Sequence, residues 1–169
     1  MFQIGDTVVC GNNGVCQIEE IGPLTSMGKS TANKGNYYTM RPMFDNSGRI
    51  YIPVDTDKVV IRYILSKDEV NNLLASVDKL EQINISDEKQ RESEYKNAVN
   101  SSDPVMLIRI IKTMSYRRKS RIENGKKSTA IDEKYFRIAE QRLYDEIALA
   151  LDLDRANIKD YMRQIIQKG

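Results

Sequence analysis

The hydrophobic pattern of this chain changes its period near residues 64–66. Before that point apolar residues come in short runs broken by Gly, Pro, Asn and Asp. After it they recur three and four residues apart. The first pattern belongs to strands and the second to helices, so one chain of 169 residues carries the two in series. An α+β class follows, divided into residues 1–65 and 66–169.

The first part reads as five short strands. Residues 7–10 form one, and Asn12-Asn13-Gly14 turns the chain because Asn and Gly tolerate positive φ. Residues 15–21 form the second, with Val15, Gln17 and Glu19 on one face and Cys16, Ile18 and Glu20 on the other. A loop at 22–35, a strand at 37–43 and a turn at Asp45-Asn46-Ser47-Gly48 come next. A fourth strand at 49–54 contains Pro53, which lacks an amide donor and marks an edge or a strand end. A fifth lies at 59–61. This pattern predicts a small, bent antiparallel barrel of SH3 or Tudor type.

The second part predicts a compact all-α bundle of about five helices. Ser66-Lys67-Asp68-Glu69 is a capping box ahead of Val70, Leu73, Leu74 and Val77. Ser86-Asp87-Glu88 opens a second helix, which carries Arg91, Tyr95, Lys96 and Val99. Asp103-Pro104 starts a third, and Asn124-Gly125 ends it in a left-handed cap. Thr129 to Asp132 caps a fourth, and Asp154 opens the last. Any small bundle offers pairs of helices, so a helix-turn-helix reading carries little weight here.

Charge is nearly balanced over the chain, at 26 basic against 24 acidic residues, but not along it. Residues 109–127 hold Arg109, Lys112, Arg117, Arg118, Lys119, Arg121, Lys126 and Lys127 against the single acid Glu123. Such a stripe can neutralise a row of phosphates. It can equally be a solvated face whose cations complement a helix C-terminus. In the strand part six basic and six acidic residues cancel, which favours a protein partner for the barrel over nucleic acid.

Several function classes drop out. With no histidine, no Ser-His or Cys-His nucleophile can be assembled, and two cysteines are too few for structural zinc. Phosphate-loop and dinucleotide fingerprints are absent. No spacing singles out a carboxylate, so the expectation is a non-enzymatic protein with no cofactor, no metal and no small-molecule substrate. No apolar run is long enough to span a membrane. Residues 1–15 lack the pattern of a signal peptide, so the expected compartment is the cytoplasm. Cys10 and Cys16 could oxidise across a hairpin; in a reducing compartment they read as small buried apolar residues.

The order of these parts resembles the CarD/CdnL family of bacterial transcription regulators. The resemblance rests on Phe2-Gln3-Ile4-Gly5-Asp6-Thr7-Val8-Val9, then Asn13-Gly14-Val15, then Ile52-Pro53-Val54. Tyr95-Lys96, Asp103-Pro104-Val105 and the helices expected at 107–118 and 133–151 continue it. The resemblance implies a Tudor-like barrel, shared with the polymerase-interacting domain of transcription-repair coupling factor, that binds the RNA polymerase β subunit. It also implies a helical domain on promoter DNA at the upstream edge of the bubble, where it alters open-complex lifetime. Many members wedge a Trp into the opened groove there. This chain has no Trp, and the wedge position falls at Arg91, followed by Ser93-Glu94 where a basic pair is expected. Lys96 keeps the expected charge. On the barrel, Tyr51 stands where relatives often carry Arg, with Arg49 two residues earlier on the same face.

The sequence therefore predicts a regulator that bridges polymerase and promoter. Its polymerase contact is expected at Arg49, Ile50, Tyr51 and Ile52, and its DNA contact at Arg91, Lys96, Arg117, Arg118, Lys119 and Arg121. The competing expectation is a protein-interaction adaptor whose basic helix is merely solvated and has no DNA role.

Overall fold

A computed structural model describes residues 1–24, 35–45, 48–85 and 87–168. Most of the 22–35 loop, the middle of the Asp45–Gly48 turn and Ser86 lie outside the described residues. The chain forms two compact units, Met1–Ile64 and Leu65–Gly169.

The first unit is a five-stranded antiparallel sheet. Its strands are β1 (Thr7–Cys10), β2 (Val15–Gly22), β3 (Tyr37–Pro42), β4 (Ile50–Pro53) and β5 (Ile61–Tyr63), in the order β4-β3-β2-β1-β5. Among the described residues no ladder joins β4 to β5, so the sheet is open and those two strands are its edges. The fifth strand lies two residues beyond its expected place, because Gly11 N–H bonds Val60 O and aligns Cys10 with Ile61. Gly11 sits at φ +43, and an added Cβ would come within 3.0 Å of Val59 Cγ1. Only glycine suits both the dihedral and the approach.

The core of this unit is Val8, Cys10, Cys16, Ile18, Tyr38, Met40 and Ile52. The expected faces of β2 hold up to Ile18 and then fail. Ile18 pairs with Met40 but Glu20 pairs with Thr39, so Glu19 is an extra, bulged residue. A one-residue slip exchanges the two faces of everything after it. Glu20, expected beside Cys16 and Ile18, is exposed, while Ile21 packs on the core.

The second unit contains α1 (Lys67–Ala75), α2 (Arg91–Asn100), α3 (Pro104–Glu123), α4 (Ala130–Ala150) and α5 (Arg155–Lys168). Local chemistry sets their ends. Ser66 Oγ accepts from Glu69 N–H at 3.3 Å while the Glu69 carboxylate accepts from Ser66 N–H at 2.8 Å. Asp103 and Thr129 cap α3 and α4 through Val105 N–H and Asp132 N–H. At the end of α3, Lys126 N–H reaches Arg121 O and Gly125 N–H reaches Ile122 O, with Gly125 at φ +68. That pair of bonds is the Schellman arrangement.

The second helix starts later than the sequence suggests. Asp87 accepts from Lys89 N–H at its carboxylate and from Gln90 N–H at its carbonyl, forming a turn that holds off helical geometry until Arg91. The fourth helix is the hub and packs against each of the other four. It buries Tyr135, Ala139, Leu143, Tyr144, Ile147 and Ala148 among Ile108, Ile110, Ile111 and Ile158. Among the described residues, no helix is long and apolar enough to cross a membrane.

Candidate interaction surfaces

On the edge strand β4 the four expected contact residues split between two faces. Ile52 is buried and Ile50 packs against the core, so both serve the sheet's interior. Arg49 and Tyr51 alternate with them. The ladder's hydrogen bonds follow from one contact: Val54 N–H donates to Asn36 O at 2.9 Å. Antiparallel pairs alternate between bonded and unbonded. The registers Tyr38↔Ile52 and Met40↔Ile50 are therefore the bonded ones, and Thr39↔Tyr51 is not. The amide and carbonyl of Tyr51 consequently point away from β3, toward the open edge.

Arg49 is not a free cation. Its Nε lies 3.0 Å from Glu19 Oε2, and the other oxygen of Glu19 lies 3.1 Å from Arg41 Nε. The bulge on β2 thus delivers a carboxylate that spans two arginines, both more than half exposed. Neither Glu19 nor Arg41 stood out in the sequence, because a bulge leaves no local signature in residue type.

In the helical unit most of the basic stripe is engaged within the chain, two of its arginines by acids and three of its cations by backbone carbonyls. Arg117 Nε lies 3.2 Å from Asp132 Oδ2, and Arg118 forks onto Glu133 with contacts of 2.6–3.0 Å while its guanidinium covers the Phe136 ring. Asp132 and Glu133 lie in the first turn of α4, where the helix dipole also favours negative charge. The Arg118 bond holds the Glu133 carboxyl below its ordinary range. Asp132 is 3% exposed, and its Oδ1 has no hydrogen-bond partner among the described residues. Arg121 donates to Lys127 O, while Arg109 and Lys112 donate to carbonyls of the chain before α2. Lys119 is the one cation of α3 with no hydrogen bond or ion pair among the described residues.

Arg91 is 9% exposed and ion-paired with Glu88. Its neighbours on α2 include Glu92, which binds Lys134 and the Tyr135 hydroxyl, both at 3.3 Å. Lys96 is exposed. The structure thus brings Arg117, Arg118, Lys119 and Arg121 onto one helix, and places Lys96 and Arg91 on another. Among the described residues no group of three or more metal-binding side chains is gathered anywhere.

No curated protein matches the chain. Residues 2–65 match the family described as the CarD-like/TRCF RID domain, and the match ends where the strands give way to helices. The open sheet with its edge strand β4 and its Glu19-bridged arginines is therefore the part of the chain that is similar to a CarD-like/TRCF RID domain.

Proposed function

We propose that this chain is a non-enzymatic transcription regulator that docks its N-terminal unit on the β subunit of RNA polymerase. The observation that carries the reading is the RID-domain match over residues 2–65. The strand β4 supports it with physical detail: an edge unpaired among the described residues, with the Tyr51 amide and carbonyl turned outward, is a template for strand addition. Tyr and Arg are also the residue types enriched at binding hot spots. In the fuller form of the proposal the sheet is a partly open Tudor-like barrel. The helical unit then contacts promoter DNA at the upstream bubble edge through Lys96, Lys119, Arg121 and the outer faces of Arg117 and Arg118, and tunes open-complex stability.

A second reading has its own support. The ion pairs of Arg91, Arg117 and Arg118 lower the charge left for phosphates, which favours an adaptor that binds protein and not DNA. Two measurements separate the readings. Pull-down with the isolated β lobe should retain the chain and fail for Tyr51→Ala with Arg49→Glu; retention of that folded variant would refute the placement on β4. Titrating salt against binding to forked promoter DNA should give a steep loss if phosphates are contacted. Affinity that is absent at low salt would leave the adaptor.

A further inference from the structure

The helices α3 and α5 both pack on α4 and leave a groove of about 650 Å³ between them. Its floor includes Ile111, Phe136 and Ile166. Tyr116 and Ile122, at 60% and 62% exposed, stand on its α3 wall and are the most exposed large apolar residues of the helical unit. They are six residues apart, about 9 Å along the helix, with Lys119 between them. Arg163 faces them from α5.

The charges at this groove are unlike those of the rest of α3. Arg118 is matched by Glu133, and Glu140 by Lys159. Lys119 and Arg163 make no hydrogen bond or ion pair among the described residues, although the charge of Arg163 reaches the Tyr144 hydroxyl. Against these two uncommitted cations stands one uncommitted acid, Glu123, at the last residue of α3. The groove therefore offers an apolar floor, exposed apolar anchors and a positive charge on each of two facing walls.

We infer that this groove receives an acidic amphipathic helix of a partner protein, lying between α3 and α5. Such a helix would seat apolar side chains at i, i+3 and i+7 on the floor and place carboxylates against Lys119 and Arg163. The anchors Tyr116 and Ile122 are spaced for about two turns of it. The inference does not depend on how the N-terminal unit is used, but it competes with phosphate contact for Lys119.

The test is nuclear magnetic resonance titration of the full chain with a synthetic Leu/Glu amphipathic peptide about five turns long, and with the same peptide carrying Lys for Glu. The acidic peptide should shift the amides of Tyr116, Lys119, Ile122 and Arg163, and the basic one should not. Lys119→Glu with Arg163→Glu, both exposed and free of partners that folding needs, should weaken the acidic peptide by about tenfold or more and favour the basic one. Equal binding of both peptides, or shifts elsewhere, would overturn the inference. Shifts of these amides by duplex DNA alone would reassign the groove to phosphate contact. Concentration-dependent shifts without peptide would reassign it to a second copy of the chain.

Discussion

The Glu19 carboxylate lies 3.0 Å from the Nε of Arg49, thirty residues further along the chain, and Glu19 is the bulged residue of β2. The same carboxylate holds Arg41. Both arginines are more than half exposed, so the bridge adds little to stability, about 0.2–1 kcal/mol per pair. Its consequence is orientation. A double-mutant cycle of Glu19→Gln and Arg49→Ala should return a coupling in that range by thermal unfolding. The β-lobe affinity of Glu19→Gln should fall less than that of Arg49→Glu.

Proline substitution separates the two faces of β4. The amide of Tyr51 points to the open edge, so Tyr51→Pro removes no bond to β3 and should cost about 1–2 kcal/mol or less. The amide of Ile52 is in the ladder and its side chain is buried, so Ile52→Pro should cost about 3 kcal/mol or more. If β4 pairs with a strand of polymerase, Tyr51→Pro should abolish binding while leaving a native circular dichroism spectrum. A folded Tyr51→Pro that still binds would rule out strand addition at this edge.

What could be read from residue types was local. Caps carry their chemistry within four residues, so Ser66, Asp103, Thr129 and Gly125 mark helix ends in the sequence itself. The strands β1 to β4 likewise announced themselves by short apolar runs between turns. Apart from the local turn at Asp87 that delays α2, the failures were relations between distant segments. Nothing near Glu19 says that it is extra; the bulge is a property of its pairing with β3. The basic stripe looked uncompensated because Asp132 and Glu133, fifteen residues from Arg117 and Arg118, fall outside any local window. Arg91 reads in the sequence as a DNA-contact residue, and its burial depends on how α2 meets the bundle.

Those ion pairs decide which substitutions can probe DNA binding. Removing Arg117 leaves the Asp132 carboxylate buried and uncompensated, which costs about 3–5 kcal/mol, nearer the lower figure because Arg117 is a quarter exposed. Lys119→Ala should cost about 0.5 kcal/mol or less. Thermal melts should therefore show Arg117→Ala strongly destabilised and Lys119→Ala near wild type. Arg117 variants would lose DNA affinity through unfolding, whereas charge reversal at the exposed Lys96, which lies outside the α3–α5 groove, probes phosphate contact without that loss.

The paired cysteines predict an alkaline weakness in the sheet. Burial, with the neighbouring Cys10 thiol adding to it, pushes the Cys16 thiol up to about 12, from 9.0. The unfolded chain therefore releases this proton first. The stability it represents is whole below pH 9 and drains away as pH rises toward 12. Denaturant midpoints should fall across that window, and the fall should flatten in Cys16→Ala. Both thiols are fully buried, so alkylation by iodoacetamide near neutral pH should track unfolding.

The end of α4 holds a correctable strain. Leu153 N–H bonds Ala148 O at 2.8 Å and Asp152 N–H bonds Leu149 O at 3.2 Å, which is the Schellman arrangement seen at Gly125. Here, however, the residue in the left-handed position is Asp152, at φ +53. A side chain there costs about 1 kcal/mol relative to glycine. Its negative charge also lies at the negative end of the α4 dipole, which is unfavourable by a few tenths of a kcal/mol at an exposed site. Both effects have the same sign, and only the extra freedom of glycine in the unfolded chain opposes them. Asp152→Gly should therefore stabilise the helical unit by about 0.5–1 kcal/mol. Asp152→Asn should recover only the charge part, because Asn keeps the Cβ. Melting temperatures in the order Gly above Asn above wild type would establish both contributions, while a Gly variant at or below wild type would show that the left-handed cap carries no strain.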